Sequence, residues 1–338
     1  MRLYFAPLEG ITGKTFREVH AACFPGVDRY CLPFLSPTQV HQLTPKERRA
    51  LEPGPLDQSR LLPQLLTHSA EDFLWAASAL AELGYTRVDL NLGCPSGTVV
   101  GKGKGSGMLR DPAALDRFLE AVFAACPIEI SVKTRLGLED PAEFGPILKV
   151  LSRYPIALLT VHPRTRRELY GPVFHPEAFA QAAAETRLPL CYNGNLFTPA
   201  DLEALERAFP GTEAAMLGRG MLADPALITR CKGGTRDRAA LIRFHDGLCD
   251  AYLAQMHPNQ AALPKLKELW AYLSLLFPDN GAWKRIRKTR RWEEFYPIAA
   301  DTLRSQPLLP EPDLARIGQQ GLAERQGTGG KGQVTSDR

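Results

Sequence analysis

One of the seven cysteines sits where chemistry is easiest to present. Cys94 follows the apolar run Val88-Asp89-Leu90-Asn91-Leu92 and is held between Gly93 and Pro95. The loop beyond carries Gly101, Gly103, Gly105 and Gly107 before a helix start at Asp111-Pro112. A strand end is a rigid platform under a variable loop, which is where α/β enzymes place reacting groups. A thiol there can act as an acid or as a nucleophile. A nucleophile needs an adjacent base to make thiolate, and no Cys–His pairing is evident in the sequence. An unperturbed thiol, with a pKa of roughly 8.5, is mostly protonated at neutral pH. Cys94 is therefore read as a proton donor.

Further polar residues close other predicted strands: Gln64, Asn91, Lys133, His162 and Asn193. Each alone has a bland explanation, since a strand-end lysine is usually solvated and a lone histidine is usually a structural hydrogen-bonding group. Five on separate strands, with Cys94, converge on one mouth if the strands form a barrel. Gly194 and Gly218-Arg219-Gly220 follow the last two strands. That is the usual anion site of a barrel, where backbone N–H groups and an arginine fork meet phosphate. The glycine-rich loop with Lys102 and Lys104 lacks the GxxxxGK[ST] order, so a triphosphate loop is excluded. It is expected to be a mobile basic lid over Cys94.

The elements that must position these residues alternate. Apolar strands are predicted at 3–7, 29–35, 61–66, 87–92, 128–133, 157–162, 188–192 and 214–217, with helices at 69–83, 111–125, 141–152, 176–185 and 198–208. Short strands alternating with helices imply a parallel sheet with right-handed crossovers. Eight of them suit an α/β fold of the closed (β/α)8 TIM-barrel type. An open doubly wound sheet would instead put its key glycines after the first strand. Beyond 232–234 the strand signal stops, and helices are predicted at 238–256, 264–277 and 292–304. The expected division is a catalytic barrel over 1–235, a small all-α helical-bundle domain over 236–325, and a glycine-rich flexible tail over 326–338.

Composition narrows the class. The 338 residues are 44% hydrophobic and 23% charged, as in an ordinary globular enzyme. Seven cysteines without a CxxC pair argue against a disulfide framework and against a metal site, and for a reducing, cytoplasmic setting. No apolar run approaches the length of a membrane span. The net charge of +4 implies little by itself. Its distribution is more telling, because Lys284, Arg285, Arg287 and Lys288 fall in one stretch flanked by Trp283 and Trp292. Most such runs are solvated helix faces, but scarce interspersed acids and flanking aromatics favour contact with a nucleic-acid backbone.

Taken together, APLEGIT (6–12), VDLNLGCP (88–95), SVKTRLG (131–137), LTVHPRTRRELYG (159–171), YNGN (192–195) and LGRGMLADP (217–225) resemble the tRNA-dihydrouridine synthase family, in family order over nearly the whole chain. The resemblance implies an FMN-containing barrel with a helical RNA-binding domain, acting as a monomer. It also implies reduction of uridine in tRNA with NADPH or NADH as reductant. It places Pro7, Leu8, Glu9, Gln64, Lys133 and His162 around the flavin ring, and Asn193, Gly194, Asn195, Gly218 and Arg219 on its phosphate. Asn91, Arg135 and Arg164 would position the uracil, and Cys94 matches the family's proton donor. Leu8 stands where Met is usual, Gly13 near an expected Asp, Pro163 in place of a Gly, and Asn195 where an acid is frequent.

Overall fold

The computed structural model describes residues 1–279 and 281–317. The predicted tail over 326–338 and the last residues of the predicted helical domain lie outside the described residues. Among the described residues there are nine strands: β1 (Arg2–Phe5), β2 (Arg29–Cys31), β3 (Leu61–Leu62), β4 (Gln64–Leu65), β5 (Arg87–Leu92), β6 (Glu129–Arg135), β7 (Leu159–His162), β8 (Leu190–Tyr192) and β9 (Ala214–Leu217). Their order is β3-β2-β1-β9-β8-β7-β6-β5-β4, and every pairing is parallel.

The two edge strands are neighbours in the chain, separated by Pro63 alone. Proline has no N–H to donate to a ladder, so one predicted strand becomes two short ones. The Pro63 carbonyl still accepts from the Asp89 amide at 2.8 Å, and a parallel bridge joins Leu35 to Leu65. The nine strands are thus eight staves of a closed (β/α)8 barrel.

Period-two alternation decides what faces the interior. Val88, Leu90, Leu92, Ile130 and Val132 pack outward in the main hydrophobic core, while Tyr4, Ala6, Cys31, Leu62, Cys191, Ala214 and Met216 form a separate buried cluster of the opposite parity. The register aligns Gln64 with Asp89, Asp89 with Ser131, Asn91 with Lys133, and Arg135 with His162. Every strand-end residue singled out from the sequence has the inward parity.

Side-chain caps start the outer helices where the sequence signals them. Ser69 caps Ala70–Glu82, Asp111 caps Pro112–Ala125, and Thr198 with Asp201 forms a capping box on Pro199–Ala208. An additional helix, Pro45–Leu51, begins on a Thr44–Glu47 capping box. The glycine-rich segment departs from the expected open lid. It is wound into a helical turn at Gly97–Gly101 and a 3-10 turn at Gly105–Arg110, with Ser106, Met108 and Leu109 buried. Gly105 has φ +58°, and a Cβ there would meet both the Cβ and the carbonyl oxygen of Cys94 at 3.0 Å. At Gly105 the absence of a Cβ lets the segment pack against the cysteine turn.

No strand follows β9 among the described residues. The helices Arg238–Gln255, Leu263–Leu273, Ala282–Lys288 and Trp292–Ser305 follow instead. They share one continuous core with the barrel. Phe244 meets Phe16 and Phe24 edge-on, each at 5.5 Å. No helix among the described residues is long and apolar enough to cross a membrane.

Candidate active site

A cavity of about 530 Å³ opens at the carboxyl ends of the strands, lined in part by Cys94, Lys133, His162 and Tyr170. A smaller one of about 60 Å³ adjoins it and reaches the loops after β8 and β9. Pro7, Leu8, Lys133, His162 and Tyr170 border both.

The Cys94 turn is held at every backbone group. Asn91 Oδ1 accepts from the amides of Gly93 (3.0 Å) and Cys94 (2.8 Å). Arg135 Nε donates to the Gly93 carbonyl at 3.0 Å. The Cys94 carbonyl accepts from the Ser106 amide at 3.2 Å and from its hydroxyl at 2.9 Å. That leaves the thiol as the turn's group facing the cavity. Burial pushes the thiol pKa up, opposed by the Ser96 amide and by Arg135. Such a cysteine stays protonated and can donate a proton.

Behind the turn runs a directional relay. Asp89, fully buried, accepts from Ser131 Oγ and from Gln64 Nε2, both at 2.7 Å. Gln64 Oε1 in turn accepts from Asn91 Nδ2 at 2.7 Å. Burial raises the Asp89 pKa, opposed by the hydrogen bonds from Gln64 and Ser131 and by the charge of Lys133; accepting from both donors, the carboxylate fixes the orientation of the Gln64 amide, and Gln64 fixes that of Asn91. Asn91 consequently presents its oxygen to the Cys94 turn.

On the neighbouring staves, starting with β6 beside the Cys94 strand, the charges are positive. Burial lowers Lys133 to about 8, with Arg135 adding to the fall and Asp89 opposing it. His162 lies well below its ordinary range, through burial first and then Arg135, Lys133, Arg164 and Arg219. Arg164 Nη1 lies 3.1 Å from His162 Nε2. A guanidinium can only donate, so Nε2 accepts, and the neutral ring carries its proton on Nδ1. Asn193 Nδ2 donates to the Met216 carbonyl at 2.7 Å. Asn195, at φ +47°, accepts from Arg164 Nη2 at 3.0 Å. The loop after β9 approaches the one after β8 so closely that a Cβ on Gly220 would stand 2.1 Å from the Leu196 carbonyl oxygen. Four cations gathered around one neutral histidine, in a cleft with Gly194, Gly218 and Arg219, suit a bound anion with a phosphate end.

The structure thus brings Pro7, Leu8, Glu9, Gln64, Asn91, Cys94, Lys133, Arg135 and His162 to the larger cavity, and Asn193, Gly194, Asn195, Gly218 and Arg219 to the smaller. Arg164 lies behind the wall. It is buried, with donors on the carbonyls of Gly171 and Val173 as well as on His162 and Asn195. Arg135 lines the cavity but is a clamp, with Nη1 on the carbonyls of Thr165 and Leu169 at 2.9 and 2.7 Å. Lys284, Arg285, Arg287 and Lys288 are exposed on the helix Ala282–Lys288, apart from the cavity lining.

Among the lining residues that the sequence reading did not single out are Tyr170 and Glu268. The Tyr170 ring receives Arg135 and Arg219 at 5.1 and 5.4 Å, and its signal was the tyrosine within LTVHPRTRRELYG. Glu268 reaches the mouth from the helix Leu263–Leu273, which only the tertiary fold reveals.

The fold and this mouth define a (β/α)8 barrel with a cation-rich site at the carboxyl ends of its strands. Among solved structures, morphinone reductase has the same fold, with a TM-score of 0.50 at 15% identity over 71% of this chain and 88% of that one. The dihydrouridine synthase family model matches residues 4–294. The chain is 33% identical to the tRNA-dihydrouridine(16) synthase of Cupriavidus necator, covering 69% of this chain and 74% of that protein. It is 28% identical to the Pseudomonas putida protein of the same name, over 94% and 95% of the two chains. The chain belongs to the dihydrouridine synthase family.

Proposed function

We propose that this enzyme reduces the C5=C6 bond of specific uridines in tRNA to dihydrouridine. The observation that carries the reading is the Cys94 turn, which is fixed at each backbone group and presents a protonated thiol to a cavity ringed by cations. An FMN held by the residues of the two cavities and reduced by NADPH or NADH would be the source of the hydride for C6 of the uracil. Cys94 gives its proton to C5 and is left as thiolate, which solvent reprotonates. Burial favours this direction, because a thiol with a raised pKa is not lost as thiolate beforehand.

Around the cofactor, Lys133 supplies positive charge to an anionic ring, His162 offers its Nδ1–H, and Gln64, Pro7, Leu8 and Glu9 border it. Asn193, Gly194, Asn195, Gly218 and Arg219 cradle its phosphate. Arg135 and Arg164 act on the uracil through the loops they brace, and Asn91 acts through the turn it caps. Lys284, Arg285, Arg287 and Lys288 meet the tRNA backbone, with the helices after residue 235 serving as the RNA-binding part of a cytoplasmic monomer.

The test is direct. Purified enzyme with NADPH should carry flavin absorbance and form dihydrouridine in tRNA lacking it, but not act on free pyrimidines. Turnover of a free pyrimidine at a rate equal to that on tRNA would sink the reading. Position 16, carried in two relatives' names, is the first to map.

A further inference from the structure

A second cavity, of about 470 Å³, opens beside the first. Glu9, Gly10, Pro33 and Phe34 line both, so the two are separated by a single thin wall. The floor of the second is apolar, built from Leu32 and Leu51 on the barrel side and Tyr252 and Met256 on the helical side. Lys265 Nζ donates to the Gly10 carbonyl at 2.6 Å, which fastens the helix Leu263–Leu273 to the shared wall.

The rim is positive. Lys46 and Lys265 stand at it with Glu9 and Glu47, Lys14 is paired with Glu52 and Glu18, and Arg17 lies buried beneath. Glu47 is engaged in a capping box, accepting from the Thr44 amide and hydroxyl at 2.8 Å. Burial raises the Glu9 carboxyl pKa, with Lys46 and Lys265 opposing. Lys46 is exposed and makes no ion pair among the described residues. Arg17 is 1% exposed. Its Nη2 holds the carbonyls of Ala50 and Glu52, while its buried Nε has no acceptor among the described residues. An apolar floor under a cationic rim, with one donor the protein does not satisfy, suits a nucleoside with its phosphate.

We propose that this cavity seats the nucleotide next to the target uridine in the RNA chain. The inference rests on the reading of the first cavity as the uridine site. A base drawn out of its stack for chemistry costs its neighbours a stacking partner, and a pocket across one thin wall replaces that contact for the residue covalently attached to it. The competing occupant is the second nucleotide of the reductant. The geometry favours RNA, because Tyr252, Met256 and Lys265 of the helical region close one side of the cavity, and the same region carries the exposed cations of Ala282–Lys288.

Two variants test it, and neither residue lines the first cavity. Ala50→Phe fills the cavity from the helix Pro45–Leu51, and Lys46→Ala removes the exposed cation. Flavin content and flavin reduction by NADPH should match wild type in both. In Ala50→Phe the affinity for tRNA, read by anisotropy, should fall about tenfold, the size of one lost base stack. In Lys46→Ala the slope of log affinity against log salt should shrink by about one. A tRNA carrying a photoreactive base beside the target should cross-link within residues 44–51 or 252–256. Unchanged tRNA affinity in both variants overturns the proposal. A raised KM for NADPH with tRNA affinity intact overturns it in favour of the reductant. Because affinity is read without turnover, a protein that binds tRNA through this cavity but does not reduce it would sink the functional reading and leave the cavity's role standing.

Discussion

At the mouth of the barrel, Asp89, Gln64 and Asn91 pass hydrogen bonds of 2.7 Å from one to the next and deliver them to the Cys94 turn. On the helix Ala282–Lys288, by contrast, Lys284, Arg285, Arg287 and Lys288 face solvent and make no ion pair among the described residues, while Ala282 and Ile286 anchor the helix below. The two regions obey opposite rules because they face different demands. A proton must reach one carbon atom, and misplacement by about 1 Å can cost two orders of magnitude. A phosphate backbone needs only a field of mobile cations, whose strength follows the salt concentration. Dry, matched groups serve the first demand, and wet, unmatched groups the second.

The largest expected effect falls where matching is complete. Cys94→Ala should retain flavin and its reduction by NADPH, and should lower dihydrouridine formation by about 10²- to 10⁴-fold, the range for losing a positioned general acid. Single-turnover kinetics with pre-reduced enzyme isolates that step. A variant that reduced tRNA at the wild-type rate would remove Cys94 from the chemistry and collapse one side of the contrast.

Next comes the relay. Asp89→Asn lets residue 89 donate as well as accept, so the Gln64 amide loses the constraint that turns its oxygen toward Asn91. The turnover number should fall about tenfold or more, in line with roughly 1.5–3 kcal/mol for a hydrogen bond to a charged group, with little change in tRNA affinity. Alkylation of Cys94 as a function of pH should shift in the same variant. Ser131→Ala removes one of the two donors to Asp89 and should have a smaller effect. If Asp89→Asn left both turnover and thiol reactivity at wild-type values, the carboxylate would be a packing feature and not a positioning residue.

The exposed helix should behave in the opposite sense. Replacing Lys284, Arg285, Arg287 and Lys288 together by Gln should weaken tRNA binding several-fold at low salt and flatten the salt slope by up to about 3. The turnover number at saturating tRNA should stay near wild type. A loss of turnover at saturation, without a change in salt slope, would mean that the helix shapes the active site instead of attracting RNA.

The same contrast explains what the sequence made legible. Strand-end polar residues could be read because a period of two carries parity along a strand, so Gln64, Asn91, Lys133 and His162 all point inward once the barrel is inferred. Pro63 split its strand without hiding it, because the carbonyl on one side and the pairing on the other survive. The winding of the glycine-rich segment is not legible in its sequence, since glycine permits close packing as readily as motion. Only the neighbouring Cys94 reveals the packing at Gly105. Arg135 could be located but not assigned its bracing contacts, because the carbonyls it holds lie on loops 30 or more residues away in the chain, and those of Arg164 depend on how its own loop folds back. Glu268 and the second cavity depend on where the helical region docks, which no local pattern encodes.

Beneath the mouth, His20 extends the dry rule to stability, with the least effect on turnover near neutral pH. It is buried, with Nε2 donating to the Pro225 carbonyl and Nδ1 accepting from the Tyr30 hydroxyl, both at 2.9 Å. Burial lowers its pKa from 6.5 to about 4, with the Pro225 hydrogen bond partly opposing the fall. Because the folded value lies below the unfolded one, its contribution is fully present above pH 6.5. It is lost progressively as the pH falls from 6.5 to about 4 and is gone below that. The difference amounts to about 3 kcal/mol at about 1.4 kcal/mol per unit, so denaturant midpoints measured between pH 7 and pH 4 should drop accordingly. His20→Gln should weaken that dependence, since a neutral amide has no proton to gain, even if it lowers stability at pH 7. A midpoint that ran flat over this interval in the wild-type protein would mean that the histidine pocket admits water or a proton, and that the dry region stops at the barrel mouth.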